Sequence, residues 1–277
     1  MGHPELNAWL GERLGLSLHN FPMVRSRRFV EFMAPIPRAR WDDQLGEVSR
    51  ILSIPETHFA RHPECFDAYA ELLKRVVRER PAGTLRIWSA GSATGEEAYQ
   101  LAAVAREIAG DRVKVYGTDM SEAAVSCARV GRYSAWSMRG EAAKRLAWLT
   151  HGEDGVEVDP SLRPLVEFRV GNLTEPQFPP AYFDLAFCRN VLIYFTEEGG
   201  GRVLDNIRAA LRPGGCLITA PTDPVFAGFE SFLPVARSGP PVRIYRRDPR
   251  EPVVAAPCSD EPANVDLAET IRRLLRS

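Results

Sequence analysis

The stretch RIWSAGSATGEEAYQLA, from Arg86 to Ala102, joins an apolar run to a glycine-bounded loop and then to a helix that opens on two glutamates. Gly91 and Gly95 allow tight turning and a close approach of backbone to a ligand. The helix that follows offers free N–H groups at its start. The spacing is G-x-x-x-G, so the dinucleotide fingerprint G-x-G-x-x-G is absent. A pyrophosphate wants a helix N-terminus that is bare or backed by positive charge. Glu96 and Glu97 in the first turn suit the helix dipole but repel phosphate. They favour a cofactor that carries positive charge near the loop, such as the ammonium and sulfonium of S-adenosylmethionine. One of the two is expected to serve the dipole and the other to face the ligand. Asp119 closes the next strand-like run, where an acid accepts hydrogen bonds from ribose hydroxyls in sheets of this kind. A helix cap or turn aspartate is the plain alternative for Asp119, and the glycine loop before it favours ribose.

These residues need a scaffold. From Leu85 onward, strand-like and helix-like runs alternate. LRIWSA, VKVYGTDM, the strand within FDLAFCRNVLIYF, CLITAP and PVRIYRR read as strands. EEAYQLAAVAREIAG, SEAAVSCARVGRY with Ser121 as N-cap, and GGGRVLDNIRAALRPGG read as helices. Such alternation predicts an α/β fold with a mostly parallel sheet covered on both faces. Residues 1–80 have helical spacing. The clearest helix is CFDAYAELLKRVVRER, with Phe66, Tyr69, Leu72, Leu73 and Val76 on one face, ended by Pro81-Ala82-Gly83. GVEVD and LVEFRVGNL are short strand candidates between SEAAVSCARVGRY and FDLAFCRNVLIYF. From Asp248 the chain is rich in proline and reads as a linker, and DLAETIRRLLRS then reads as a short amphipathic helix. That helix either docks on the domain or leads into further chain.

Composition excludes several classes. The 277 residues are 45% hydrophobic and 26% charged, with a formal net charge of −1, which gives no general surface for nucleic acid. No apolar run is long enough to span a membrane, and the N-terminus lacks the shape of a signal peptide, so cytoplasm is the default location. Five cysteines without a C-x-x-C pair predict neither zinc nor a disulfide framework. Cys188 and Cys216 lie in apolar runs and are expected in the core. His58 and His62 have helical spacing but lack a third ligand, so no metal is expected.

Taken together, four segments resemble the chemotaxis receptor glutamate O-methyltransferases, the CheR family: ETHFARHPECF (56–66), RIWSAGSATGEEAY (86–99), YGTDMSEAAVSCARVGRY (116–133) and, most specifically, FDLAFCRNVLIYF (183–195). The resemblance runs from about residue 55 to Arg247. It implies a Rossmann-like S-adenosylmethionine-dependent methyltransferase domain over 81–247. A small helical N-terminal domain would cover 1–80, a reduced β-subdomain about 151–170, and a tail 248–277. The implied reaction moves a methyl group from S-adenosyl-L-methionine to glutamate side chains of chemoreceptors, leaving S-adenosyl-L-homocysteine. By matched position, Thr57, Arg61, Glu97, Asp119, Asn172, Leu173, Arg189 and Asn190 would line the cofactor site. Arg61 and Tyr194 would face the methyl group and the target carboxylate.

The departures are as informative. Ala60 replaces a second aromatic, Pro55 stands where an asparagine often helps hold the cofactor, and Pro221-Thr222-Asp223 replaces H-S-E. Arg25, Arg27, Arg28, Arg38 and Arg40 form a basic cluster, which serves either to meet acidic receptor helices or simply as a solvated face. The inserted segment is acidic, with Glu153, Asp154 and Glu157, so it is not expected to grip an acidic receptor tether. A small-molecule carboxyl methyltransferase and a weakly active cofactor-binding regulator are the alternatives. Arg189-Asn190-Val191 lacks the Asp/Asn-Pro-Pro pattern of amine methylation on nucleic acid.

Overall fold

The computed structural model describes residues 3–253 apart from 55, 142, 144–145, 153–154 and 236–241. The N-terminal part holds α1 (Pro4–Leu14), α2 (Met23–Met33), α3 (Leu45–Leu52) and α4 (Pro63–Glu79). Then follow β1 (Leu85–Ala90), α5 (Glu96–Ala109), β2 (Val113–Asp119), α6 (Glu122–Val130), β3 (Arg132–Tyr133), β4 (Leu149–Gly152), β5 (Gly155–Val158) and β6 (Val166–Val170). The last elements are β7 (Phe183–Cys188), α7 (Glu197–Ala210), β8 (Leu211–Thr219), β9 (Leu233–Pro234) and β10 (Arg243–Arg246).

Among the described residues the main sheet runs β6-β2-β1-β7-β8-β10-β9. β6, β2, β1, β7 and β8 are parallel, and β10 and β9 return antiparallel. The order reverses between β1 and β7. That is the switch point at which open α/β sheets bind ligands beyond the carboxyl ends of their strands. The expected α/β, Rossmann-like sheet is therefore present.

Burial on both faces explains the strand composition. Every residue of β7 is buried, and only Arg86 in β1 is not. One face packs against α4, α5 and α6, where Tyr69, Leu73 and Leu101 join Ile87 and Leu185. The other packs against α1, α2, α3 and α7, where Leu10, Phe29 and Leu204 join Trp88 and Ala186. The helices of residues 1–80 are thus shared between the two faces: α4 lies on one, and α1–α3 share the other with α7. All five residues expected on the apolar face of α4 are buried. Cys188 and Cys216 are core thiols.

Local chemistry sets the element ends. The Ser121 hydroxyl accepts from the Ala124 N–H at 3.3 Å, and the Thr196 hydroxyl caps α7 by accepting from Gly199. Gly199 has a second task. A Cβ there would lie 2.1 Å from the Gly15 carbonyl oxygen, so its bare backbone lets the segment after α1 close onto α7.

Three expectations need correction. The small sheet is β3-β5-β4, built from residues 132–158, while Val166–Val170 is a strand of the main sheet beside β2, so the subdomain does not reach 170. The apolar alternation of LVEFRV suits either sheet, and only the pairing decides. His58 and His62 precede α4 and share no helix; His62 is left-handed, with φ 57°. Residues 248–253 do not form a free linker. Glu251 pairs with Arg208 on α7 and, at 3.3 Å, with the buried Arg247. The amphipathic run 266–277, like Pro55, Glu153 and Asp154, lies outside the described residues.

Candidate active site

One cleft, about 1030 Å³ with its mouth included, opens at the switch point. Thr57, Arg61, Gly91, Glu97, Asp119, Asn172, Leu173, Arg189, Asn190 and Tyr194 all lie on its wall. Gly95 does not. It caps the start of α5 at φ +95°, and a Cβ there would fall 2.8 Å from both Ala128 and the Phe168 ring, so it serves helix packing.

The floor is tied together by Asp119. Its carboxylate accepts from the Ala93 N–H and the Ser121 N–H, each at 2.9 Å, which locks the glycine loop to the end of β2. Gly91 and Ser92 both donate to the Thr118 carbonyl. Burial pushes the Asp119 carboxyl above the usual range, and the two N–H donors partly oppose that.

The two glutamates part company. Glu96 is buried away from the cleft, accepting from the Thr94 and Ser137 hydroxyls at 2.7 and 2.8 Å. Its first-turn position suits the dipole, yet burial raises its carboxyl. Glu97 faces the cleft, but not as a free anion. It accepts from the Ser89 hydroxyl and from Arg189, both at 2.8 Å. The pair does not present two open negative charges, because a helix puts successive residues about 100° apart and the core claims one of them.

Arg189 is a junction. Its other guanidinium nitrogen donates to the Arg61 carbonyl at 2.6 Å, and the group lies 5.5 Å from the Phe66 ring centre. It thereby fixes the loop that carries Arg61 to α5. Arg61 itself is half-buried and donates to the Glu56 carbonyl at 2.5 Å. Burial, then the Arg189 charge, lower its guanidinium from the ordinary value. Glu56 in turn is held by Arg139 at 2.6 Å.

On the opposite wall, Asn190 is left-handed, with φ 57°. Its amide donates to the Thr222 hydroxyl at 2.8 Å. Its backbone N–H and that of Val191 donate to the Asp223 carboxylate at 2.8 and 3.1 Å, and Ala220 donates to the same group at 3.0 Å. The substituted segment Pro221-Thr222-Asp223 therefore holds the Asn190 turn. Sequence inspection left Asp223 without a role; an acid just past a strand, level with a polar turn on its neighbour, was the available signal. Asn172 spends its side-chain oxygen on the Thr174 N–H and hydroxyl, shaping the turn beside Leu173. Tyr194 stacks on Phe21, a residue no motif in the sequence marks, with ring centres 4.9 Å apart. Among the described residues its hydroxyl has no hydrogen-bond partner, and no group of His, Cys, Asp and Glu could hold a metal ion.

Comparison with known proteins agrees with this architecture. The family model "CheR methyltransferase, SAM binding domain" matches residues 55–233. Chemotaxis protein methyltransferase 2 of Pseudomonas aeruginosa is 35% identical over 203 residues, covering 70% of this chain and 71% of its own length. Chemotaxis protein methyltransferase 1 of Vibrio cholerae is 31% identical, covering 69% and 72%. The probable biofilm formation methyltransferase WspC of Pseudomonas putida is 30% identical over 222 residues, covering 78% of this chain, which spans about half (52%) of that relative. With Thr57, Gly91, Asp119 and Asn190 of the switch-point cleft inside the matched region, the chain belongs to the CheR methyltransferase family and carries its S-adenosylmethionine-binding domain.

Proposed function

We propose that the protein transfers a methyl group from S-adenosyl-L-methionine to glutamate side-chain carboxylates of chemoreceptors. The observation that carries this is the meeting, in one cleft, of the Gly91 loop and Asp119 with Arg61 and Tyr194.

The donor set fits the cofactor. Each Asp119 oxygen spends one lone pair on a backbone N–H and keeps another for a ribose hydroxyl. Gly91, Asn172 and Leu173 offer backbone around it, and Thr57, Glu97, Arg189 and Asn190 complete the wall. When bound, the cofactor supplies an electrophilic methyl on a sulfonium, which a carboxylate oxygen displaces in line.

The chain's own work is positioning. A glutamate carboxylate has a reference pKa of about 4.3, so it arrives ionised at neutral pH and needs no general base. Arg61 holds it by charge-assisted hydrogen bonds. The Tyr194 hydroxyl, without a hydrogen-bond partner among the described residues, donates one more. Holding reactants in register is worth roughly 7–11 kcal/mol. No proton moves in this scheme, so the rate is flat above about pH 6, where the substrate is fully ionised.

For the receptor, α2 offers an exposed face with Met23, Val24, Arg27 and Arg28. The basic cluster is partly spent: Arg25 donates to the Ile51 carbonyl, Arg27 pairs with Glu31, and Arg40 pairs with Asp43. Arg38 lies 5.9 Å from the Trp41 ring centre. Arg27, Arg28, Arg38 and Arg40 stay exposed and are the residues expected to meet an acidic helix. The short β3-β5-β4 sheet plays no tether-binding part in this account. No helix among the described residues is long and apolar enough to cross a membrane.

The test is transfer of labelled methyl onto the cytoplasmic fragment of a chemoreceptor from the same cell. Base-labile label on the receptor is expected. A protein that binds the cofactor but labels no receptor would overturn the assignment of substrate.

A further inference from the structure

The segment Gly15–Phe21 is stitched to the loop that carries Tyr194. Ser17 N–H donates to the Tyr194 carbonyl at 3.0 Å, and Thr196 N–H donates to the Gly15 carbonyl at 2.8 Å. The Asn20 amide donates to the Phe195 carbonyl at 3.0 Å, and Leu16 forms a β-bridge with Phe195. This strap ends at Phe21, immediately before α2. The Phe21 ring lies nearly parallel to that of Tyr194, at an interplanar angle of 23°.

Phe21 also stands between two cavities. It lines the cleft at the switch point, and it lines a separate surface groove between α1 and α2 whose walls include Asn7, Met23, Arg27 and Val30. It is the residue common to both. A substrate helix lying along α2 would meet its target side chain at this ring.

We propose that Phe21 is a positioning residue for methyl transfer, fixing the Tyr194 phenol and forming the wall along which the substrate side chain enters. The proposal rests on the function given above. A ring stacked in this way has two effects. It adds an aromatic contact, which holds the phenol in one orientation. It also gives the methylenes of an entering glutamate an apolar surface, while the carboxylate continues to Arg61. Neither effect involves the cofactor-binding floor at Gly91 and Asp119, so Phe21 should govern the acceptor and not the cofactor.

The experiment compares Phe21→Ala, Phe21→Leu and Phe21→Tyr in the full chain. It reads kcat and KM for the receptor fragment, and the S-adenosylhomocysteine Kd by calorimetry. Incorporated fluorotyrosine supplies a ¹⁹F spectrum, with the Tyr194 line assigned by its loss in Tyr194→Phe. Phe21→Ala should lower kcat/KM for the receptor about tenfold, with the S-adenosylhomocysteine Kd within twofold of wild type. The Tyr194 line should shift as the stacked ring is lost. Phe21→Tyr should restore both readouts, and Phe21→Leu, which fills space without a ring, should restore neither fully. Phe21→Leu also keeps the test valid should the alanine variant fail to fold. Unchanged kcat/KM in both Phe21→Ala and Phe21→Leu would overturn the proposal, as would a loss that tracks cofactor affinity. Wild-type protein that labels no receptor would overturn the function and this role together, and it is recognised before any variant is made.

Discussion

Asp223 is the most consequential residue without an obvious role in the sequence. It is buried, and its carboxylate accepts the N–H groups of Asn190, Val191 and Ala220. Asp223→Ala leaves three backbone N–H donors, one buried and two partly buried, without their acceptor. Each such donor costs about 1–3 kcal/mol when nothing replaces the partner. Two terms reduce the sum: water can enter the space, and the carboxylate no longer has to be kept out of water. A net loss of about 3 kcal/mol follows, which for a chain of this size lowers Tm by roughly 6–12 °C. The Asn190 turn, held at φ 57°, loses its anchor, and cofactor affinity should fall about tenfold, one hydrogen bond's worth. Asp223→Asn keeps one acceptor and should lose about half as much stability. The variant also isolates a pH effect. Burial raises the Asp223 carboxyl above the ordinary carboxylate value. The folded state therefore holds that proton more tightly than the unfolded state does. Its contribution to stability is present below the unfolded pKa and is lost as pH rises through the folded one. The stability gap between wild type and Asp223→Asn should widen in favour of wild type on acidification through that window. Thermal melts from pH 4 to 7 and calorimetry with S-adenosylhomocysteine measure all three quantities. An Asp223→Ala protein with unchanged Tm and unchanged cofactor affinity would refute the reasoning.

Two further outcomes follow from the cleft floor. The Asp119 carboxyl is raised by burial, and hydroxyl donors from a ribose favour its ionised form, so binding requires the proton to leave. S-adenosylhomocysteine affinity should be full above the raised pKa and fall as pH drops through it; calorimetry across pH should show this, and Asp119→Asn should be weaker and pH-independent. Gly91 sits at φ +76°, and a Cβ there would lie 2.4 Å from a Val191 methyl, so Gly91→Ala should cost about 2–3 kcal/mol in denaturant unfolding and weaken cofactor binding.

The scaffold was legible because its signals are local. Alternating buried strands and amphipathic helices define a parallel sheet, and glycine and serine mark its turns, as Ser121 does for α6. The gathering of Thr57, Arg61, Glu97, Asp119, Asn172, Leu173, Arg189, Asn190 and Tyr194 on one wall was legible only jointly, through a resemblance spread over four segments. What escaped notice depends on contacts between distant segments. Glu97 looks like an open charge until Arg189, 92 positions away, is placed against it. Asp223 and Phe21 act on Asn190 and Tyr194 across 33 and 173 positions, and nothing in their own neighbourhoods announces it. The extent of the small sheet was missed for the same reason, since LVEFRV carries no mark of which sheet it joins.

In the proposed reaction Arg61 orients an already ionised carboxylate for methyl transfer in this cleft. This role is tested most directly by steady-state transfer of labelled methyl from S-adenosylmethionine to a receptor fragment, with Arg61→Ala beside wild type. Two charge-assisted hydrogen bonds are worth about 3–4 kcal/mol together, which predicts a fall in kcat of roughly 10²–10³. Because the Asp119 floor is untouched, S-adenosylhomocysteine affinity should fall by much less than kcat does, although Arg61 lines the same cleft. Near wild-type turnover in Arg61→Ala, with base-labile label still accumulating on the receptor, would contradict the account.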